Sequence, residues 1–169
     1  MKRRQPLPRL WLMTDERQGE ALWTALERLP RGAGIVFRHY RLRATERRIL
    51  FERVRRIARA RGLVLLVAGH PLPGGDGTHG RPGRGIRSAS VHNLRELRAA
   101  EHAGADLVFL SPVHPTRSHP GARVLGPHRF ALIAHQAKVP VIALGGMDAE
   151  KARSLGGAYV WAGIDAWAR

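Results

Sequence analysis

The residues with the greatest chemical reach stand where short apolar runs end. Thr14 follows one run, His39 and Arg41 a second, and His70 and His79 the next two. Ser90 and His92 close a longer one, and His114, Thr116, Arg117, Ser118 and His119 share a loop after another. Six of the nine histidines belong to this set. Imidazole moves protons near neutral pH and, once protonated, contacts anions. Loops commonly carry polar residues, so any single histidine has a bland explanation; their gathering at one kind of chain position points to a shared rim. Gly145-Gly146 follows an apolar run and precedes a helical pattern. Glycines there let backbone N–H groups approach an anion closely, although the same pair also makes a plain tight turn. Together with Gly163 and the hydroxyls and cations of Thr116-Arg117-Ser118-His119, the pair predicts a phosphate site.

Other chemistries find little support. With no cysteine, disulfides, thiolate zinc sites and cysteine nucleophiles are excluded. No His-x-x-x-His pair with a nearby glutamate suggests zinc, and Asp15, Asp76 and Asp148 are the only carboxylates near the run ends. Asp148 reads as a helix cap. No metal ligand is assigned from these residues.

These groups need elements to hold them. Leu10–Thr14, Gly34–Phe37 and Leu63–Val67 read as strands without polar alternation, as in a parallel sheet buried on both faces. Helices over Glu20–Leu29 and from about Arg41 to Gly62 separate them. The stretch from Gly69 to Gly85 is too rich in glycine and proline for an ordinary helix and leaves room for only a short strand near Thr78–Gly80. Ile86–Val91, Leu107–Leu110, Val139–Leu144 and Ala158–Trp161 complete eight strands. Asn93 and Glu96 mark the start of a helix that ends near Gly104, and another helix follows Pro127 to about Ala137. The pattern predicts one domain over residues 1–169, a (β/α)8 TIM barrel. A doubly wound sheet is the alternative. Barrels usually take ~250 residues. A chain of 169 closes one only if the helices after strands 3, 4 and 8 are reduced or missing.

The formal charge of +16 and a pI near 11.8 suggest nucleic acid at first sight. The distribution argues against it: only Lys2, Lys138 and Lys151 are lysines, and arginines run along the whole chain. The densest cluster, Arg41 to Arg61, also carries Leu50, Val54, Ile57 and Ala58 at helical spacing, which predicts a buried apolar stripe with its arginines on the solvated face. No apolar window is long enough to cross a bilayer and no signal-peptide core follows Met1, so a cytoplasmic location is expected.

Several ordered segments resemble thiamine phosphate synthase and its relative, the thiazole tautomerase. They are Ser90-Val-His92-Asn93-Leu-Arg-Glu-Leu, Ala103-Gly-Ala-Asp106-Leu-Val, Ser111-Pro-Val-His-Pro-Thr116-Arg-Ser118-His119 and Val139-Pro-Val-Ile-Ala-Leu-Gly145-Gly146-Met147. Gly75-Asp76-Gly77-Thr78-His79 is similar to the family's Asp-Gly-Val-His segment. The resemblance implies a barrel whose glycine loops hold a thiazole phosphate while Mg²⁺ and basic side chains hold a pyrimidine diphosphate, with diphosphate as leaving group. A tautomerase needs only a proton shuttle beside the same phosphate loop.

Carried over residue by residue, the phosphate loops match at Gly145, Gly146 and Gly163. The family's Thr-x-Thr-Lys becomes Thr116-Arg117-Ser118-His119, and its Gln-x-Arg-x-Lys aligns with Phe37, His39 and Arg41. The Asn-Asp whose aspartate binds Mg²⁺ aligns with Ala68-Gly69, and the second Mg²⁺ carboxylate is missing after His79. Magnesium thus lacks its usual ligands, and Arg81, Arg84 and Arg117 become candidates to hold diphosphate without metal. The resemblance implies His119, His92 and His39 for proton transfer or diphosphate contact. It implies Arg41, Ser90, Thr116, Arg117, Ser118, Gly145, Gly146 and Gly163 for substrate and phosphate. The expected partner is a small phosphorylated thiazole or pyrimidine, and coupling to thiamine phosphate is the leading reading. Tautomerisation or a non-catalytic, regulatory ligand-binding role is the alternative, and a nucleic-acid-binding domain comes third.

Overall fold

The computed structural model describes residues 6–117, 120–155 and 160–167. Eight parallel strands close in chain order: β1 (Leu10–Met13), β2 (Gly34–Phe37), β3 (Val64–Ala68), β4 (Gly77–His79), β5 (Ile86–Val91), β6 (Leu107–Leu110), β7 (Val141–Ala143) and β8 (Val160–Gly163). β8 returns to β1 with Leu10 opposite Trp161 and Leu12 opposite Gly163. Helices α1 (Ala21–Arg28), α2 (Ala44–Arg61), α3 (Leu94–His102), α4 (Gly126–Ala134) and α5 (Ala149–Ser154) follow β1, β2, β5, β6 and β7. This is the expected TIM barrel. Among the described residues no helix follows β3 or β4, and only a 3-10 turn, Asp165–Trp167, follows β8.

Two-residue alternation along each strand sorts the core into an inside and an outside. Trp11, Met13, Val36, Leu66, Phe109, Ile142 and Ala162 fill the barrel interior. The Trp11 indole lies so close over Gly34 that a Cβ there would sit 2.2 Å from the ring, so only glycine lets this large side chain fill the interior. Outward-facing Leu12, Ile35, Phe37, Leu65 and Val67 pack with Leu22, Leu26, Phe51 and Val54 of α1 and α2. Val91, Val108, Leu110 and Trp161 form a second outer cluster with Leu97, Phe130 and Ala152 of α3, α4 and α5.

Loops replace the missing helices with hydrogen bonds. Asp76 accepts from the Leu65 N–H at 2.8 Å through its carboxylate and donates its own N–H to Leu65 O at 2.7 Å, while Leu72 packs on the first outer cluster. Beyond β8, Trp167 stacks on Trp161 at 4.8 Å and donates its indole N–H to Trp11 O at 3.1 Å, sealing the β8–β1 seam.

One expectation for α2 needs correction. Its buried face consists of Arg47, Phe51, Val54 and Ala58, with Leu50 and Ile57 half-buried at its edges. Arg47 is only 5 % exposed. It donates to Ala68 O at 2.6 Å, His70 O at 2.9 Å and His39 O at 3.0 Å. The ends of β2 and β3 present carbonyls with no helix after β3 to cover them, and a guanidinium with five donors satisfies several at once. The other helix boundaries move by a few residues; α4 starts at Gly126 and ends at Ala134, short of Ala137. Among the described residues no helix is long and apolar enough to cross a membrane.

Candidate functional site

A cleft of about 420 Å³ opens at the C-terminal ends of the strands, the face on which barrels of this kind place their chemistry. Its floor is barrel interior: Ser90 beyond Ser88 on β5, Ser111 after β6, Leu144 after β7, and Ala162 on β8. One wall is the β7–α5 turn, Gly145-Gly146-Met147, with Gly163 and Ile164 after β8 beside it. The β6–α4 loop forms the roof through Pro112, Pro115, Thr116 and Arg117; Arg38, after β2, stands across the barrel from it, and His92 follows β5.

The glycine turn and the roof are built on each other. Gly145 and Gly146 have φ of 94° and 61°. A Cβ on Gly145 would lie 2.6 Å from Pro112 Cα, and one on Gly146 2.4 Å from Pro115 O. Val113 N–H donates to Leu144 O at 2.9 Å and His114 N–H to Gly145 O at 3.1 Å. Any side chain in the turn would therefore push the roof away. Asp148 caps α5 by accepting from Lys151 N–H at 2.9 Å, and Lys151 Nζ donates to Gly146 O at 2.8 Å. That cation stands at the lip of the turn.

At the far end Arg38 is held tightly. Its Nε donates to Thr14 O at 2.7 Å and its Nη2 to Asp15 at 3.0 Å. Burial pulls the Arg38 guanidinium below its ordinary range, with Asp15 opposing. Burial pushes the Asp15 carboxyl up, but hydrogen bonds from Arg17 and the charges of Arg17 and Arg38 outweigh it and hold Asp15 below the usual carboxylate range.

Of the residues expected from sequence, Ser90, His92, Thr116, Arg117, Gly145, Gly146 and Gly163 line this cleft. Ser118 and His119 lie outside the described residues. His39 and Arg41 are not brought to the cleft. His39 is 5 % exposed, has φ 36°, bonds Thr14 Oγ1 through Nδ1 at 2.9 Å and stacks on Phe37; burial lowers its pKa. Arg41 is exposed and its backbone N–H donates to Glu16. The rim histidines thus disperse: of the five described, only His92 lines the cleft. His70 is exposed elsewhere, His79 is buried inside the barrel, and His114 packs behind Gly146. His92 Nδ1 contacts Glu96 at 2.8 Å, and Glu96 also accepts from the His92 N–H at 2.9 Å. The side-chain bond to His92 holds the Glu96 carboxyl low. Glu96 therefore reaches one residue past the Asn93 cap, which itself accepts from Glu96 N–H at 2.9 Å.

Sequence reasoning missed Arg38 and Lys151. The signal for Arg38 was parity: Val36 faces the interior, so Arg38, two residues on, shares that side whereas His39 shares the side of Phe37. Lys151 lies three residues after a cap on a short helix, and helical side chains lean back toward the N-terminal turn.

Among the described residues magnesium finds no matching donor set. Ala68 and Gly69 occupy the end of β3, and among the described residues no three or more His, Asp or Glu side chains gather to hold a metal ion. Near the cleft, Asp15 is paired with Arg17 and Arg38, Asp148 with the α5 turn and Lys151, and Asp165 also lines the cleft after β8.

Residues 83–167, half of the chain, match the family model described as thiamine monophosphate synthase. The chain belongs to the thiamine monophosphate synthase family. Every cleft residue except Arg38 lies within that matched stretch. The chain is 39 % identical over 70 residues to a thiamine-phosphate synthase of Pyrococcus furiosus, covering 41 % of this chain and 34 % of that protein. It is 38 % identical over 72 residues to the thiamine-phosphate synthase of Geobacillus thermodenitrificans, covering 41 % and 33 %. The alignments thus span about a third of these curated relatives. The likeness in three dimensions reaches further: a solved thiamine phosphate pyrophosphorylase from Pyrococcus furiosus superposes with a TM-score of 0.77 at 25 % identity, over 94 % of this chain and 86 % of that one. A KDPGal structure shares the fold alone, with a TM-score of 0.58 at 14 % identity over 97 % and 85 % of the two chains.

Proposed function

We propose that this family member binds a phosphorylated thiazole with its phosphate against Gly145, Gly146 and Gly163, and couples it to a pyrimidine diphosphate lying toward Arg38. The observation that carries this reading is the convergence on one cleft of the β7 and β8 glycines, Lys151, and Thr116 with Arg117 of the roof. A phosphate at that wall meets backbone N–H groups and cations, the two things a dianion needs. At the other end, Arg38 takes the place proposed from sequence for His39, one residue earlier in register. The reaction would join the thiazole ring nitrogen to the pyrimidine methylene carbon as the carbon–oxygen bond to diphosphate breaks, with the electron pair leaving on diphosphate. Developing charge on that leaving group calls for fixed cations, and Arg38, Arg117 and Lys151 line the cleft. His92 also lines the cleft and is available for proton or diphosphate contact, and Ser90 contacts the ring from the floor. His39 and Arg41 serve the scaffold in this reading.

Calorimetry with thiazole phosphate tests the first half: heat of binding is expected, and Gly146→Asp should abolish it by placing a carboxylate where the phosphate sits. No heat at millimolar ligand would overturn the site. Incubating both substrates with and without chelator tests the second: thiamine phosphate formed regardless of chelator supports coupling without the family's metal. Ala68 and Gly69 at the end of β3, where the family's metal-binding carboxylate is expected, favour a second reading, a binding protein without turnover. Intact binding with no product under either condition would select it.

A further inference from the structure

The flank left bare by the missing helices concentrates charge that the proposed chemistry does not use. From Ala44, the start of α2, to Arg87 in β5 the chain has ten arginines against three carboxylates, so about a quarter of the residues holds +7 of the total +16. The carboxylates do little to offset it. Glu46 lies on the opposite side of α2 from Arg55. Glu52 accepts from Arg55 Nε at 2.9 Å, and Asp76 is engaged by the Leu65 N–H.

The sides of α2 sort these arginines. A barrel helix ordinarily lies between the helices before and after it in the chain. On the α1 side, Arg53 stacks over the Trp23 ring at 4.1 Å. On the other side no helix follows β3, and Arg55 instead meets the β3–β4 loop, where a Cβ on Gly74 would lie 2.9 Å from its Cδ. Arg48 and Arg59 fall within about 40° of Arg55 around the helix axis. Both are exposed and, among the described residues, their side chains are unpaired. The stripe of three runs about 16 Å along α2. Arg81 in the β4–β5 loop is near enough for its charge to act on Arg47, and Arg84 in the same loop is exposed. From Ala44 to Arg87 the only exposed large apolar side chain is Ile49, and it points about 100° round α2 from Arg48. Protein interfaces are built on an apolar core, which this surface lacks. Guanidinium groups in a row suit phosphate oxygens, and phosphates repeated along a strand offer many equivalent partners.

We propose that the open flank of the barrel, between α2 and the β3–β4 and β4–β5 loops, docks the phosphate backbone of nucleic acid through Arg48, Arg55, Arg59 and Arg84 without regard to base sequence. None of the four lines the cleft, so the surface is separate from the ligand site and independent of what occupies it. Arginines that look dispersed along the chain become one patch where barrel closure and the loss of two helices bring them to the same side.

Fluorescence anisotropy with the full chain and a labelled DNA duplex of about 20 base pairs tests this. Binding is expected at about 50 mM salt, with a log–log salt slope of about −3.6 for four phosphate contacts, a loss of roughly 150-fold by about 200 mM. Arg48→Gln combined with Arg59→Gln should make the slope shallower by about 2 and weaken binding at the lower salt by more than about tenfold. Arg129→Gln combined with Arg153→Gln, on α4 and α5, removes the same charge elsewhere and should weaken it by less than about threefold. Equal losses in the two double variants would overturn the patch in favour of net charge alone. No binding at the lower salt would overturn the proposal, as would a polyglutamate of equal charge competing as well as unlabelled duplex. Both double variants replace exposed side chains, and urea midpoints check that they fold; if either does not, the salt slope and the polyglutamate competition of the unmodified protein still decide. Thiazole phosphate binding should be alike in all three proteins. Its absence from all of them would overturn the functional reading above and leave this one standing.

Discussion

The two halves of the barrel solve the same packing problem by different means. From β5 onward, strands alternate with helices α3, α4 and α5, two of which carry side-chain N-caps, Asn93 and Asp148. From β1 to β4 two helices are missing, and α1 and α2 have no side-chain N-cap. Order there comes from buried polar pins: Arg47 across the ends of β2 and β3, and Asp76 against Leu65. The halves also divide the cleft unequally, since among the described residues Arg38 is the sole lining residue from the first. A chain that keeps its loops after β5 to β8 can shorten the other side of the barrel, provided the exposed carbonyl ends find donors and one cation still reaches the site.

The sharpest way to break this contrast is Arg47→Met. It leaves four carbonyls, those of Arg38, His39, Ala68 and His70, without their buried donor, and a loss of about 3 kcal/mol is expected in denaturant unfolding, with thiazole phosphate affinity at the β7 wall nearly unchanged in the folded fraction. Unchanged stability would show that the loops alone hold β2 and β3.

Acid probes the interior between the halves. Burial lowers the His79 pKa to about 4 from an ordinary 6.5. The unfolded chain therefore takes up a proton at a pH where the folded one does not. This contribution is complete above 6.5 and lost as pH falls toward about 4, up to roughly 3 kcal/mol. The loss over that window should be much smaller in His79→Gln, measured by urea midpoints at several pH values.

In the second half, Asn93→Ala removes the α3 cap and should cost about 1 kcal/mol in the same assay. The smallest effect is reserved for Arg41→Ala. It should alter stability by less than about 0.5 kcal/mol and leave ligand binding intact, whereas Arg38→Ala should weaken binding of inorganic diphosphate severalfold. A reversal of that pair would restore the register read from sequence.

Much of the second half was legible because its signals are local. Asn93 and Asp148 cap the helices they were expected to cap, and Ile86–Val91 and Leu107–Leu110 are strands with those bounds. Seven of the expected site residues meet at one cleft because strand-end loops on a closed barrel must share a face. The first half was harder. Arg47 looked like one more surface arginine, because nothing in its neighbours reveals that carbonyls 21 and 23 residues away would need it. The alignment with the family's Gln-x-Arg-x-Lys points to His39, whereas strand parity from Val36 favours Arg38.

The amino-acid pattern alone determined the barrel, its trimmed side, the glycine turn after β7 and the absence of the expected carboxylates, since each depends on residue type and near-neighbour order. Tertiary structure decided which side chains share the cleft and which are buried behind it. Those outcomes depend on strand twist, closure and burial. Closure placed Arg38 opposite Gly146 and set His79 behind Ser90, because only a closed sheet turns alternate residues of distant strands toward one interior.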